Sequence, residues 1–135
     1  MSSVLVVGSA NVDQVFRVER IPSPGETVLS TGFSTARGGK GQNQAVAAAR
    51  AGAPTAFIAA LGDDAFGSDT RAGLIDDGVD VMGVRSLDAA TGTALIAVDS
   101  VGENTIIVEA GANRLLVDLQ SADAAAIAAS SVLAM

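Results

Sequence analysis

Residues Val4–Val7 form an uninterrupted apolar run that stops at Gly8. A run without alternation predicts a strand buried on both faces of a parallel sheet. Residues 55–61, Thr-Ala-Phe-Ile-Ala-Ala-Leu, make a second such run, and Val132–Met135 a third of strand type. Between them the pattern changes. Positions 12–18 and 27–36 are rich in β-branched residues and loosely alternating, with Pro22, Pro24 and Gly25 between them. They predict antiparallel strands with one solvated face. Residues 93–99 and 105–109 predict a β-hairpin around Gly102, and 79–84 a shorter strand. Helices are predicted over about 42–51, 65–77 and 117–129. Gly52 and Gly78 close the first two, Pro54 lies beyond the first, and Asp63 or Asp64 caps the second. Residues 110–113 read as a loop. The chain therefore leaves a parallel sheet early, builds a small β excursion and returns, an α/β pattern. A domain seldom ends on a bare apolar strand, so the sequence is expected to be a piece of a longer gene product.

Composition narrows the chemistry. The 135 residues suit one domain, and 49% apolar against 17% charged residues supports a packed core. Cys, His, Trp and Tyr are all absent. That excludes zinc fingers, disulfide frameworks and Cys–His or Ser–His–Asp catalysis within this chain. Acid–base work falls to carboxylates or to the single lysine, Lys40. A net charge of −7 and few aromatics argue against a nucleic-acid partner. The longest apolar stretch, Ala45–Leu61, is broken by Arg50, Gly52 and Pro54, so no membrane span is expected. The N-terminus lacks the basic start of a signal peptide, and a cytoplasmic location is the expectation.

Three constellations could carry function. Asn11 and Asp13 lie two residues apart on an extended segment and so share a face. An amide and a carboxylate placed that way suit adjacent sugar hydroxyls, and they equally suit an Asx-turn at a strand end. Gly38-Gly39-Lys40-Gly41-Gln42-Asn43 opens a helix, where glycines allow close approach and free amides attract oxygens. A tight turn back into the core explains it as well. It is not a Walker A loop, because Ser34 stands six before Lys40 and Gly41 follows it. Asp63-Asp64 reads as a helix cap rather than a metal site, and Asp76-Asp77 as the solvent-facing end of a helix.

Taken in order, these pieces resemble the N-terminal part of the ribokinase-like (PfkB) sugar and nucleoside kinase family. The resemblance rests on Gly8–Asp13, Pro22–Thr27, Gly38–Ala45, Gly62–Gly67, Thr91–Ile96, Gly102–Asn104 and Ala110–Asn113. It implies a Rossmann-type, three-layer α/β fold with a small β-sheet lid. Residues 1–135 would be the N-terminal part of the kinase domain, with lid segments at about 12–36 and 91–109. Asn11 and Asp13 would bind sugar hydroxyls, and Gly39, Lys40 and Asn43 would complete the sugar-binding wall. Ala94 and Ile96 would pack on the sugar's apolar face.

The resemblance also implies what lies outside these residues. The family's catalytic Asp, in a Gly-Ala-Gly-Asp turn, and its ATP and monovalent-cation sites belong to its second half. No catalytic or cofactor-binding residue is therefore expected here, although ATP, Mg2+ and a monovalent cation are expected for the full-length family. The implied function is ATP-dependent phosphorylation of D-ribose or a related sugar, with this chain carrying the sugar side. A homodimer through paired lid sheets is the implied assembly. Fructose, a ketodeoxy sugar acid or a nucleoside as acceptor is an alternative, as is a non-catalytic sugar-binding or dimerisation module.

Overall fold

A computed structural model describes residues 3–135. The elements are β1 (Val4–Val7), β2 (Asn11–Arg17), β3 (Gly32–Gly38), α1 (Lys40–Arg50), β4 (Thr55–Gly62), α2 (Ala65–Asp76), β5 (Val79–Asp80), β6 (Val84–Leu87), β7 (Gly92–Val98), β8 (Asn104–Glu109), α3 (Ser121–Ala129) and β9 (Val132–Ala134). A 3-10 turn occupies Gly111–Leu115.

The uninterrupted apolar runs become the parallel sheet, in the order β5-β4-β1-β9, with β6 also pairing β4. Val4–Val7 align with Thr55–Ile58 on one side, and Val4–Val6 with Val132–Ala134 on the other. Leu5, Val6 and Phe57–Leu61 are buried, as runs without alternation require. Val6, Phe57, Ala59 and Leu61 form the main core with Ala45 of α1 and Leu74 of α2. The other face, with Leu5, Ala56 and Ile58, lies across a groove of about 220 Å³ from Ala122 and Ala126 of α3. The result is three layers, helix–sheet–helix. β9 is the outer strand of the order, with Val132 and Leu133 exposed.

The weaker β segments build a separate four-stranded sheet, β3-β2-β7-β8. β2 runs antiparallel to β3 and parallel to β7, and β7–β8 is the expected hairpin. Gly102, at φ +87°, turns the hairpin in a conformation that favours glycine.

Several boundaries move for tertiary reasons. β3 spans 32–38, not 27–36, because its register on β2 starts with Gly32 opposite Arg17. The expected strand at 79–84 is divided into β5 and β6. Met82 N–H donates to Asp80 Oδ1 and Val84 N–H to the Val81 carbonyl, which turns the chain between the two pairings with β4. α3 starts at Ser121, four residues later than Val117. A capping box between Gln120 and Asp123 sets that start. α1 begins at Lys40, two residues before Gln42, with Gly39 at φ +91° as its N-cap.

Candidate functional site

The site region is the seam where β2, β3 and β7 of the small sheet meet the start of α1. Cross-strand register places the predicted residues in rows. Asn11 stands between Gly38 and Gly92, Asp13 between Ala36 and Ala94, and Val15 between Ser34 and Ile96. Alternation puts these three rows on one face, so Asn11, Asp13, Ala94 and Ile96 share it. Ala94 is buried, and Asn11, Asp13 and Ile96 are half-buried.

Asp13's carboxylate lies over Gly38, where a Cβ would collide with both of its oxygens. Among the described residues it has no hydrogen-bond partner. Burial pushes its pKa up. Asn11 is held differently: its Oδ1 accepts a 2.8 Å bond from Asn113 Nδ2. That leaves the Asn11 amide nitrogen as a donor beside the Asp13 acceptors.

Gly39 brings the glycine-rich turn against the loop after β1. A Cβ there would stand 2.8 Å from the Ser9 carbonyl and 3.1 Å from Asn11 N. Gly41 meets Gly8 as closely, with a Cβ 2.8 Å from Gly8 Cα. Only residues without a side chain allow this approach. Gln42, buried at the helix start, donates from Nε2 to the carbonyls of Asn11 (3.2 Å) and Gly38 (2.5 Å). Its backbone N–H is taken by the Ser9 carbonyl at 2.9 Å.

Lys40 and Asn43 lie on the first turn of α1, and both are exposed. Among the described residues neither hydrogen-bonds to β2, β3 or β7. Asn43 borders a groove of about 390 Å³ shared with Arg37, Gln42, Val46, Ala47 and Arg50. The structure thus joins Asn11, Asp13, Ala94 and Ile96 on one sheet face. It sets Gly39 against that sheet's entry, and among the described residues no hydrogen bond or ion pair joins Asp13 to Lys40 or Asn43.

Three functional features escaped the sequence. Asn113 accepts at Oδ1 from Ala10 N (3.0 Å) and donates from Nδ2 to the carbonyls of Ala10 (3.2 Å) and Ala110 (3.0 Å), besides Asn11. The Ala110–Asn113 segment was visible as a motif, but a loop assignment says nothing of a partner 102 positions away. Asp64 does cap α2, through Gly67 N at 2.8 Å. It also accepts from Thr91 N (2.8 Å) and Thr91 Oγ1 (2.6 Å), and so ties α2 to the start of β7. Burial opposes the Asp64 charge, but the bonds from Thr91 and Gly67 outweigh it and hold the carboxyl below its usual range. Asp77 is the third, and here the expectation of a solvent-facing helix end is corrected. Its side chain is only 12% exposed and pairs with Arg37 and Arg50.

Among the described residues no group of three or more His, Cys, Asp or Glu is placed to hold a metal. Among the described residues no helix is long and apolar enough to cross a membrane.

Comparison with known proteins agrees with this architecture. The profile of the pfkB family carbohydrate kinases matches residues 1–135. The ribokinase of Schizosaccharomyces pombe is 45% identical over 120 residues, covering 84% of this chain and 38% of the yeast protein. The structure of Arabidopsis thaliana ribokinase complexed with ribose and ATP superposes with a TM-score of 0.82 at 39% identity, over 94% of this chain and 42% of that one. The Thermotoga maritima ribokinase structure gives a TM-score of 0.85 at 31% identity, over 98% and 44%. The chain thus spans well under half the length of these relatives. Because the family profile matches the chain over residues 1–135, the chain belongs to the pfkB family of carbohydrate kinases.

Proposed function

We propose that this chain is the sugar-binding side of a ribokinase-type enzyme that transfers a phosphoryl group from ATP to a primary hydroxyl of D-ribose or a close relative. One observation carries the reading: the unpartnered, half-buried Asp13 carboxylate beside the Asn11 amide donor, on a face with Ala94 and Ile96. Acceptor oxygens next to a donor complement a sugar diol, and the small apolar side chains complement its carbon face. The resemblance to a ribokinase complexed with ribose and ATP supports ribose over other acceptors. Gly39, Lys40 and Asn43 would line the wall next to this pair. The small sheet, residues of about 12–36 and 91–109, would serve as the lid.

The backbone N–H of Gln42, the natural anion donor at the glycine-rich turn, is spent on the Ser9 carbonyl, and the described carboxylates form no metal cluster. On this reading the binding of ATP, Mg2+ and a monovalent cation, and removal of the acceptor's proton, would be the work of the family's second half. The expected behaviour is binding without turnover. Calorimetric titration with ribose should show saturable binding, while a coupled kinase assay shows no ATP-dependent phosphorylation. Absence of ribose binding would overturn the site, and turnover at ordinary kinase rates would overturn the division of labour.

A homodimer through the small sheet and a cytoplasmic location are part of the same proposal. Phe33, Leu95 and Ile107 lie exposed on the sheet face opposite Asp13, an apolar surface suited to a second copy. Sedimentation equilibrium should show a dimer that Ile107→Lys converts to monomer. A wild-type monomer throughout the micromolar range would sink this assembly.

A further inference from the structure

We propose that Arg37, clamped by Asp77, is a positioning residue that sets the sugar-side turn Gly38–Asn43 from its outer face. The proposal rests on the sugar-site reading only for its consequence for binding.

Arg37 is the penultimate residue of β3, paired with Val12 and so on the face opposite Asp13. Its Nη2 lies 2.6 Å from Asp77 Oδ2, across a separation of 40 residues. The other Asp77 oxygen accepts from Arg50 Nε at 2.8 Å and lies 2.7 Å from Arg50 Nη2. One carboxylate thereby joins three elements: the end of β3, the last residue of α1 and the C-cap of α2. Both arginines hold the Asp77 carboxyl below its usual range, Arg37 most strongly.

Gly73, one turn before Asp77 on α2, makes room for this contact. A Cβ there would stand 2.6 Å from Arg37 Nη1 and 2.8 Å from Cζ. The guanidinium thus rests in a notch on the helix, and its Nη1 is buried. A glycine in mid-helix is unfavourable by itself, so its presence here is explained by what it admits.

The chain from Arg37 passes directly into Gly38, the floor under the Asp13 carboxylate, and then into Gly39 and α1. Gln42 fixes the same turn from inside, by its bonds to Asn11 and Gly38. Arg37 holds it from outside. Arg37 and Arg50 share a groove with Asn43, and Asp77 pairs with both, through Nη2 of Arg37, while the buried Arg37 Nη1 has no hydrogen-bond partner among the described residues.

Amide hydrogen exchange on the 135-residue chain tests the clamp without any ligand. In Arg37→Gln, amides of β2, β3, Gln42 and Asn43 should lose protection by about tenfold or more, while those of β1 and β4 change by less than about threefold. Arg37→Lys should recover part of the loss, because it restores the charge without the forked geometry. Gly73→Ala should loosen the same amides despite its better helix propensity. Unchanged exchange at 38–43, or an equal loss across both sheets, overturns the clamp. Ribose titration of the same variants reads the positioning role, with affinity expected to fall about three- to tenfold well below the melting temperature. Unchanged affinity in a chain whose wild type binds ribose overturns that role. If the wild type binds no ribose, the sugar-site reading fails and the exchange data alone decide the clamp.

Discussion

Asp13→Asn is expected to weaken ribose binding by about a hundredfold while leaving the chain at least as stable as the wild type. The loss follows from the chemistry of the contact. A carboxylate accepting two hydroxyl hydrogens makes charge-assisted bonds, each worth roughly 1.5–3 kcal/mol, and an amide in its place offers one acceptor and one misplaced donor. The stability arm follows from Asp13's surroundings. Its carboxylate has no partner among the described residues, and burial raises its pKa. A folded-state pKa above the unfolded value means that the folded chain binds the proton more tightly. The group therefore favours folding below its unfolded pKa, and that contribution is lost as pH rises through the folded value. Asparagine removes this dependence. Thermal melts across the window just above the ordinary carboxylate range should show the wild type losing relative stability with rising pH, and the variant not. Ribose affinity should move the other way, rising with pH as Asp13 ionises. A variant that binds ribose within threefold of wild type would show that Asp13 makes no sugar contact, and one that melts well below it would show that Asp13 is a structural residue.

Asn113→Ala should be the most damaging single change in the site region, with an expected cost of about 2–4 kcal/mol in unfolding free energy. Four hydrogen bonds converge on this side chain, from or to Ala10 N, Ala10 O, Ala110 O and Asn11 Oδ1. Ala10 is fully buried, so water cannot replace its lost partner. Asn113→Asp tests the same point by another route. It retains an acceptor for Ala10 N but sets a second oxygen against the Ala10 and Ala110 carbonyls and Asn11 Oδ1, and should cost at least as much. Denaturant midpoints at constant slope report these losses. A cycle with Asn11→Ala then separates the Asn11–Asn113 bond from the backbone bonds. A shift under about 0.5 kcal/mol for Asn113→Ala would mean that the loop after β1 is held by its glycine contacts and by Gln42 without help from Asn113.

The elements that local pattern decides were legible in the sequence. The run at 55–61 had to become an interior strand, because apolar groups on both faces need cover on both faces, and β4 has it. Asp64 followed by a helical stretch and then Gly78 predicted α2 almost to the residue, since capping and a left-handed glycine are properties of a few adjacent positions. The Asn11–Asp13 face was legible for the same reason, as a two-residue spacing on a strand dictates it. The resemblance then added the expected roles of Gly39, Lys40, Asn43, Ala94 and Ile96, and the register confirms the shared face for Ala94 and Ile96 alone.

Other features depend on partners that no local window contains. Residues 27–31 have strand-like chemistry, yet β3 begins at Gly32 because hydrogen-bonded register with β2 begins there. Asp77 looked like a solvated helix end and became the junction of two arginines, one 27 and the other 40 positions away. Asn113 looked like a loop residue and became the brace of Ala10 and Asn11. The sequence by itself determined the interior strands at 4–7 and 55–61, the start and stop of α2, and which two polar side chains share a strand face, because each depends on nearest-neighbour geometry. Only the tertiary structure decided what holds that face in place, because the free energy of a buried hydrogen bond or ion pair depends on a partner and an exclusion of water that exist only once distant segments have met.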